Sequence, residues 1–128
     1  MKLKSGFTLV EIVIVLAFVG FVAGLIVVQK SNYDAMLRDE KRKIAINTIH
    51  YALEESFYKT NFYYPEVISV QNLPIVDAEL WQDPSGRTLG DPLSDYIYES
   101  ANCKNAQCKE YTLKADLEKE ETYIKTNF

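Results

Sequence analysis

The chain has 128 residues, enough for one compact domain and at most one appendage. Its averages, 48% hydrophobic and 25% charged, conceal an asymmetry: Ile12 to Val28 is a run of 17 uncharged, nearly all apolar residues, whereas residues 29–128 carry 12 Lys+Arg against 17 Asp+Glu. The overall charge of −4 argues against nucleic acid as the main partner, because phosphate binding needs a basic face, and the soluble part is too small for a two-domain enzyme.

The chain opens with a short basic stretch, Lys2 and Lys4, before Ser5-Gly6-Phe7-Thr8-Leu9-Val10-Glu11 and the apolar run. That order has the grammar of a secretory signal. The apolar run is longer than a usual signal core of ~7–15 residues, and no small-x-small cleavage site follows it. A retained membrane helix fits better. Phe7 to Val28 is 22 residues, about 33 Å of helix at ~1.5 Å per residue, which spans a hydrocarbon core. Glu11 is the anomaly, because a carboxylate inside a span is expensive; it either snorkels to the interface or carries function.

Lys4-Ser5-Gly6-Phe7-Thr8-Leu9-Val10-Glu11, followed by an uninterrupted apolar helix, resembles the N-terminus of type IV pilins and pseudopilins. Gly20 also falls where that family commonly has glycine. The resemblance implies a leader, residues 1–6, that a membrane-embedded prepilin peptidase removes between Gly6 and Phe7, methylating the new N-terminus. It further implies a membrane and filament-core helix over 7–28 and a globular head over 29–128. In the family the glutamate of one subunit meets the N-terminal amine of its neighbour, which assigns Phe7 and Glu11 to subunit assembly. Many members carry a helix-breaking proline where this chain has Val28, and no proline here precedes Pro65.

Helical signals continue beyond the span. Asp34/Arg38, Asp39/Lys43 and Glu55/Lys59 are i,i+4 acid–base pairs in the favourable order. Ile46, Ile49, Leu53 and Phe57 form an apolar stripe, with Ala45 and Ala52 beside it. One helix is predicted from about Phe7 to Lys59, roughly 80 Å long, apolar all round in its first half and amphipathic in its second. Asn61 reads as its C-cap, taking the left-handed conformation that ends it. Asn61-Phe62-Tyr63-Tyr64-Pro65 is similar to the Asn-Gly-x-Tyr-Pro that ends the helix in pseudopilins, with Phe62 in place of the glycine. His50, the only histidine, reads as a surface helix residue.

Residues 66–95 read as an irregular connector, with a type I turn at Asp83-Pro84-Ser85-Gly86. Trp81-x-Asp83-Pro84-x-Gly86 resembles a motif of the pseudopilin G type, and Trp81 is read as a plug of the head core. Three strands follow: Tyr96–Tyr98, Glu110–Glu118 and Thr122–Lys125, with period-two alternation clearest in the second. Short joins favour an antiparallel meander packed on the Ile46–Phe57 stripe. The expected fold is α+β, a pilin-like lollipop of one long N-terminal helix on a small three-stranded antiparallel sheet.

Cys103 and Cys108 lie five apart between the first two strands. In an exported domain with no second cysteine pair and no nearby histidine, a disulfide is expected rather than a zinc site; free thiols are the alternative. Some pseudopilin G heads bind calcium, and Asp83, Asp91 and Asp95 are the loop carboxylates that would serve here. Turn formation beside prolines explains Asp83 and Asp91 without a metal, so no cofactor is expected. No nucleophile motif or phosphate loop appears, and the chain is read as a non-enzyme.

The expected function is that of a polymerising structural subunit of a type IV pilus-like filament. The alternatives are a pseudopilin in the short piston-like filament of a type II secretion system and a monomeric signal-anchored extracytoplasmic domain. The implied partners are the peptidase, identical or related subunits, the inner-membrane assembly machinery and, before assembly, the membrane. The implied location is a single-pass inner-membrane protein with its head outside the cytoplasm, later a filament at the cell envelope. Counting only Lys and Arg around the span would place the head inside. Asp34, Asp39 and Glu40 interleave those basic residues, and the processing motif must face the cytoplasm.

Overall fold

The computed structural model describes residues 6–127; residues 1–5, most of the expected leader, lie outside the described part. The chain separates into two compact units, Met1–Asp34 and Ala35–Phe128. Helix α1, Leu9–Tyr51, runs through both, followed by a π-helical stretch, Ala52–Tyr58, and a last turn, α2, Lys59–Asn61. The helix starts two residues later than expected and ends two later. Its C-cap is Phe62, with φ 62°, so Phe62 and not Asn61 takes the left-handed conformation. Asn61 instead donates its side-chain amide to the carbonyl of Phe57, 2.9 Å away. The missing glycine is thus replaced in place, with Phe62 left 77% exposed.

Beyond the helix the fold is α+β with two small antiparallel sheets. One is the expected three-stranded meander of β2 (Tyr96–Ala101), β4 (Glu110–Ala115) and β5 (Tyr123–Thr126), in the order β2-β4-β5. The other pairs β1 (Tyr64–Pro65) with β3 (Gln107–Cys108), an unexpected sheet of two residues a side. The strand expected to reach Glu118 stops at Ala115. Asp116 turns its N–H to the carbonyl of Asp95, and the amides of Glu118 and Lys119 both go to the Asp39 carboxylate, at 2.9 Å each. Beyond Asp116, whose N–H still answers the β2 side, the next backbone donors are therefore used by the helix.

The core of the second unit is the predicted stripe closed by the sheets. Ala45, Ile46, Ile49, Ala52 and Leu53 meet Tyr96, Tyr111, Leu113 and Ala115, all at most 2% exposed. Leu73, Val76 and Trp81 reach the same core from the connector, Trp81 on a short 3-10 turn, Ala78–Trp81. The Trp81 indole N–H is buried without an acceptor, a cost accepted for the area the ring covers.

Leu53 tests this core. Residues 29–128 should fold as a soluble monomer, and Leu53→Ala within them should lose about 2–5 kcal/mol in denaturant titrations. A loss under about 0.5 kcal/mol, the range of ordinary surface substitutions, would mean that Leu53 faces no core.

Candidate functional site

The first unit carries the sequence's strongest signal. Gly6, Phe7 and Thr8 are non-helical and exposed. Thr8 caps the helix: its Oγ1 accepts the Glu11 N–H at 3.3 Å, and Glu11 Oε2 accepts the Thr8 N–H at 3.3 Å. This is a reciprocal capping box, Thr-x-x-Glu, which satisfies two amide donors at a helix start. The motif is visible in Thr8-Leu9-Val10-Glu11, and the expectation for Glu11 overlooked it. The carboxylate also sits at the positive end of the helix, where a negative charge is favoured.

From Phe7 to Val28 the large apolar side chains are exposed, from 37% for Val22 to 78% for Leu9. One helix, Leu9–Asn61, is long and apolar enough to cross a membrane, and none of its most apolar 18-residue window is buried. Apolar surface of that extent must be covered by lipid or by other helices.

In the second unit an ionic clamp joins helix and sheet. Arg42, 4% exposed, bonds to Asp39 Oδ1 at 2.9 Å, to Asp95 Oδ2 through Nη2 at 2.8 Å, and to Glu118 Oε1 at 3.0 Å. Arg38 holds the same Glu118 as a fork, at 2.7 and 2.6 Å. Lys43 reaches Glu120 at 2.8 Å and Glu40 at 3.4 Å, in place of the expected Asp39. The Glu55–Lys59 pair forms as expected. Burial pushes the Asp39 carboxyl up, but the amides of Glu118 and Lys119, with Arg42, outweigh it and hold it below its ordinary value. Bonds from Arg38 and Arg42 lower Glu118 to about 2.

A second polar cluster lies at the π-helical stretch. Tyr64 and Tyr111, 3% and 2% exposed, both donate to the Glu54 carboxylate, at 3.0 and 2.8 Å. The Tyr111 hydroxyl has given its one proton to Glu54, so it accepts from His50 Nδ1, 2.6 Å away. His50 is therefore no free surface residue. Burial lowers its pKa, partly offset by Glu54. Burial, followed by the bond to Glu54, pushes the Tyr111 hydroxyl far above its ordinary range.

Of the three loop carboxylates, Asp83 is buried and organises its own turn. Oδ1 accepts the N–H groups of Ser85 and Arg87 at 2.8 and 3.0 Å; Oδ2 accepts the Asp95 N–H at 2.9 Å and the Ser94 hydroxyl at 3.3 Å. Asp91 caps Leu93 N–H at 2.9 Å, and Asp95 belongs to the clamp. Among the described residues no three His, Cys, Asp or Glu side chains gather as metal ligands.

Cys103 and Cys108 form a disulfide, Cys108 buried and Cys103 exposed. It closes a loop in which Asn105 and Ala106 have positive φ, with Asn102 just before it also in that conformation, and it fixes the residue that β3 pairs with Tyr64. Alkylating the folded, unreduced protein should leave both sulfurs unlabelled. Ready labelling of both would remove the staple.

No family model matches this chain, and no solved structure matches it.

Proposed function

We propose that this chain is a polymerising structural subunit of a type IV pilus-like filament, cut between Gly6 and Phe7 by a prepilin peptidase and methylated on Phe7. The observation that carries this reading is a helix exposed and apolar on every side from Leu9 to Val28, with a single carboxylate, Glu11, in its first turn. A simple membrane anchor needs the apolar surface but not the acid. A filament of such helices uses both: the surface is covered by neighbours, and the acid meets the new amine four residues earlier. The head then faces away from the cytoplasm, where a disulfide persists. The membrane holds the subunit before assembly, and an inner-membrane machine extracts it.

A pseudopilin of a type II secretion system is the second reading. It is favoured by the turn built on Trp81-x-Asp83-Pro84-x-Gly86, where Gly86 donates its N–H to Asp83 at 2.9 Å and takes φ 83°. A full peptidase-and-assembly system expressed with this chain tests both readings. Sheared surface material should contain a chain that begins at Phe7 and weighs one methyl group more than the cleaved sequence. A mass that retains residues 1–6 in the exported fraction would falsify the processing, and absence of any filament would favour a monomeric anchored domain.

A further inference from the structure

β2 is an edge strand, paired with β4 on one side only. Three hydrogen bonds fix which of its backbone groups face away from β4. Asp116 donates to the Asp95 carbonyl at 3.0 Å, so position 95 addresses β4. The Tyr96 N–H goes to Ser94 Oγ at 3.1 Å, away from the ladder. Tyr111, opposite Ser100, turns its N–H to Asn127 Oδ1 at 3.2 Å, on the β5 side. Antiparallel pairing alternates, so Ile97, Glu99 and Ala101 bond to β4, while Tyr96, Tyr98 and Ser100 turn their N–H and C=O groups outward.

That outward edge opens on a groove of about 540 Å³. One wall is β2 itself, Tyr96 to Tyr98; the other includes Val67, Ile68 and Leu89. The second wall is held near β2 by the Tyr98 hydroxyl on the Pro65 carbonyl, 2.7 Å, and Ser100 Oγ on the Glu66 carbonyl, 3.0 Å. Two charged residues line the groove, Glu66 and Asp91, both exposed and both acidic, and no lysine or arginine does. Open strand edges of this kind pair with extended chains: main-chain bonds supply affinity, and pockets for alternate side chains supply selectivity.

We propose that the β2 edge takes up an extended apolar peptide flanked by lysine or arginine, which adds to the sheet beside Tyr96–Ser100. Its alternate side chains fill the groove against Ile68 and Leu89, and its cationic ends meet Glu66 and Asp91. A foreign cationic segment fits better than a second copy of this chain, because residues 29–128 carry a net charge of −5 and two heads would approach acid to acid.

The test uses the full chain in nonionic detergent micelles and a fluorescein-labelled peptide, Lys-Val-Thr-Val-Thr-Val-Lys with blocked ends, followed by anisotropy. Saturable binding is expected. Ser100→Pro deletes an outward N–H without touching the β2–β4 ladder and should weaken binding about tenfold, whereas Ser100→Ala, which keeps the N–H, should change it less than about threefold. The double variant Glu66→Gln with Asp91→Asn should weaken it about fivefold and reduce its salt dependence. A peptide N-methylated at alternate residues should not bind, which keeps the test decisive even if Ser100→Pro fails to fold. No saturable binding, equal binding of the methylated peptide, or wild-type affinity in folded Ser100→Pro would each overturn the proposal. Displacement of the peptide by unlabelled chain, with oligomers in sedimentation, would give the edge to a second copy and overturn it as well.

Discussion

Arg42→Ala should destabilise the head by about 3–5 kcal/mol, the usual cost of removing one partner from a buried ion pair. The loss exceeds that of a surface pair because of what remains. Asp39 stays 2% exposed, held by two backbone amides but stripped of its counter-ion, and Asp95 loses two charge-assisted bonds. Arg42→Lys keeps the charge but cannot make the fork to Asp95 while also reaching Asp39 and Glu118, so it should recover only part of the loss. The acid response follows from the carboxylates. Asp39 and Asp83 both have folded pKa values below their ordinary ones. Such a group binds fewer protons folded than unfolded, so its stabilisation is full above its unfolded pKa of about 3.9 and is lost as pH falls through the folded value. Wild type should lose some stability as pH falls below about 6.5, where His50 protonates more readily in the unfolded chain than in the folded one, and should lose it more steeply below about pH 4 as the carboxylates protonate. In Arg42→Ala the Asp39 pKa rises toward its unfolded value, so the variant starts less stable at pH 7 and loses less of its stability in acid. An Arg42→Ala midpoint within experimental error of wild type at pH 7 would mean that the clamp is ornamental.

The second large effect is expected in Glu11, in filament yield. Among near-identical apolar helices, shape fixes axial register poorly; a carboxylate and an amine, each costly when unpaired, fix it by meeting. On the proposed filament reading, Glu11→Ala would leave the amine of a cleaved Phe7 buried without a partner, at a cost of about 3–5 kcal/mol per subunit, and subunits should then accumulate in the membrane fraction. The capping box requires a control. Glu11→Ala also deletes the acceptor for the Thr8 N–H, whereas Glu11→Gln retains an oxygen that caps equally well and removes only the charge. If charge governs assembly, both variants fail. If Glu11→Gln assembles at wild-type yield, the residue serves its own helix turn and the electrostatic account of assembly is wrong. Cleavage at Gly6 should survive in both.

The features legible in the sequence are those with a local period. The Ile46–Leu53 stripe, the alternation at Tyr111, Leu113 and Ala115, and the apolar run each repeat within a few residues, and each folds as its period dictates. The features that were not legible are made by partners far apart in the chain. In sequence Asp39 pairs with Lys43 and nothing marks Arg42, because its partners Asp95 and Glu118 lie 53 and 76 residues away. The β1–β3 pairing joins Tyr64–Pro65, read as a helix stop, to Gln107–Cys108, read as loop; neither has the length or alternation of a strand. His50 reads as a surface residue for the same reason, since its partner Tyr111 is 61 positions away. Thr8–Glu11 differs: its spacing is local and its signature present, and the apolar run that follows drew attention to the charge of Glu11 instead of its reach.

The long reach of the clamp also orders events in time. Asp39 receives its amide donors from residues 79 and 80 positions downstream. During synthesis at about 5–20 residues per second, the helix is complete for several seconds before those donors exist. Throughout that interval the Ile46–Leu53 face and the Asp39–Arg42 pair have no sheet to cover them. The nascent chain therefore leaves that face uncovered for that interval, and a chain cut short before Glu118 lacks the donors that close the head on Asp39.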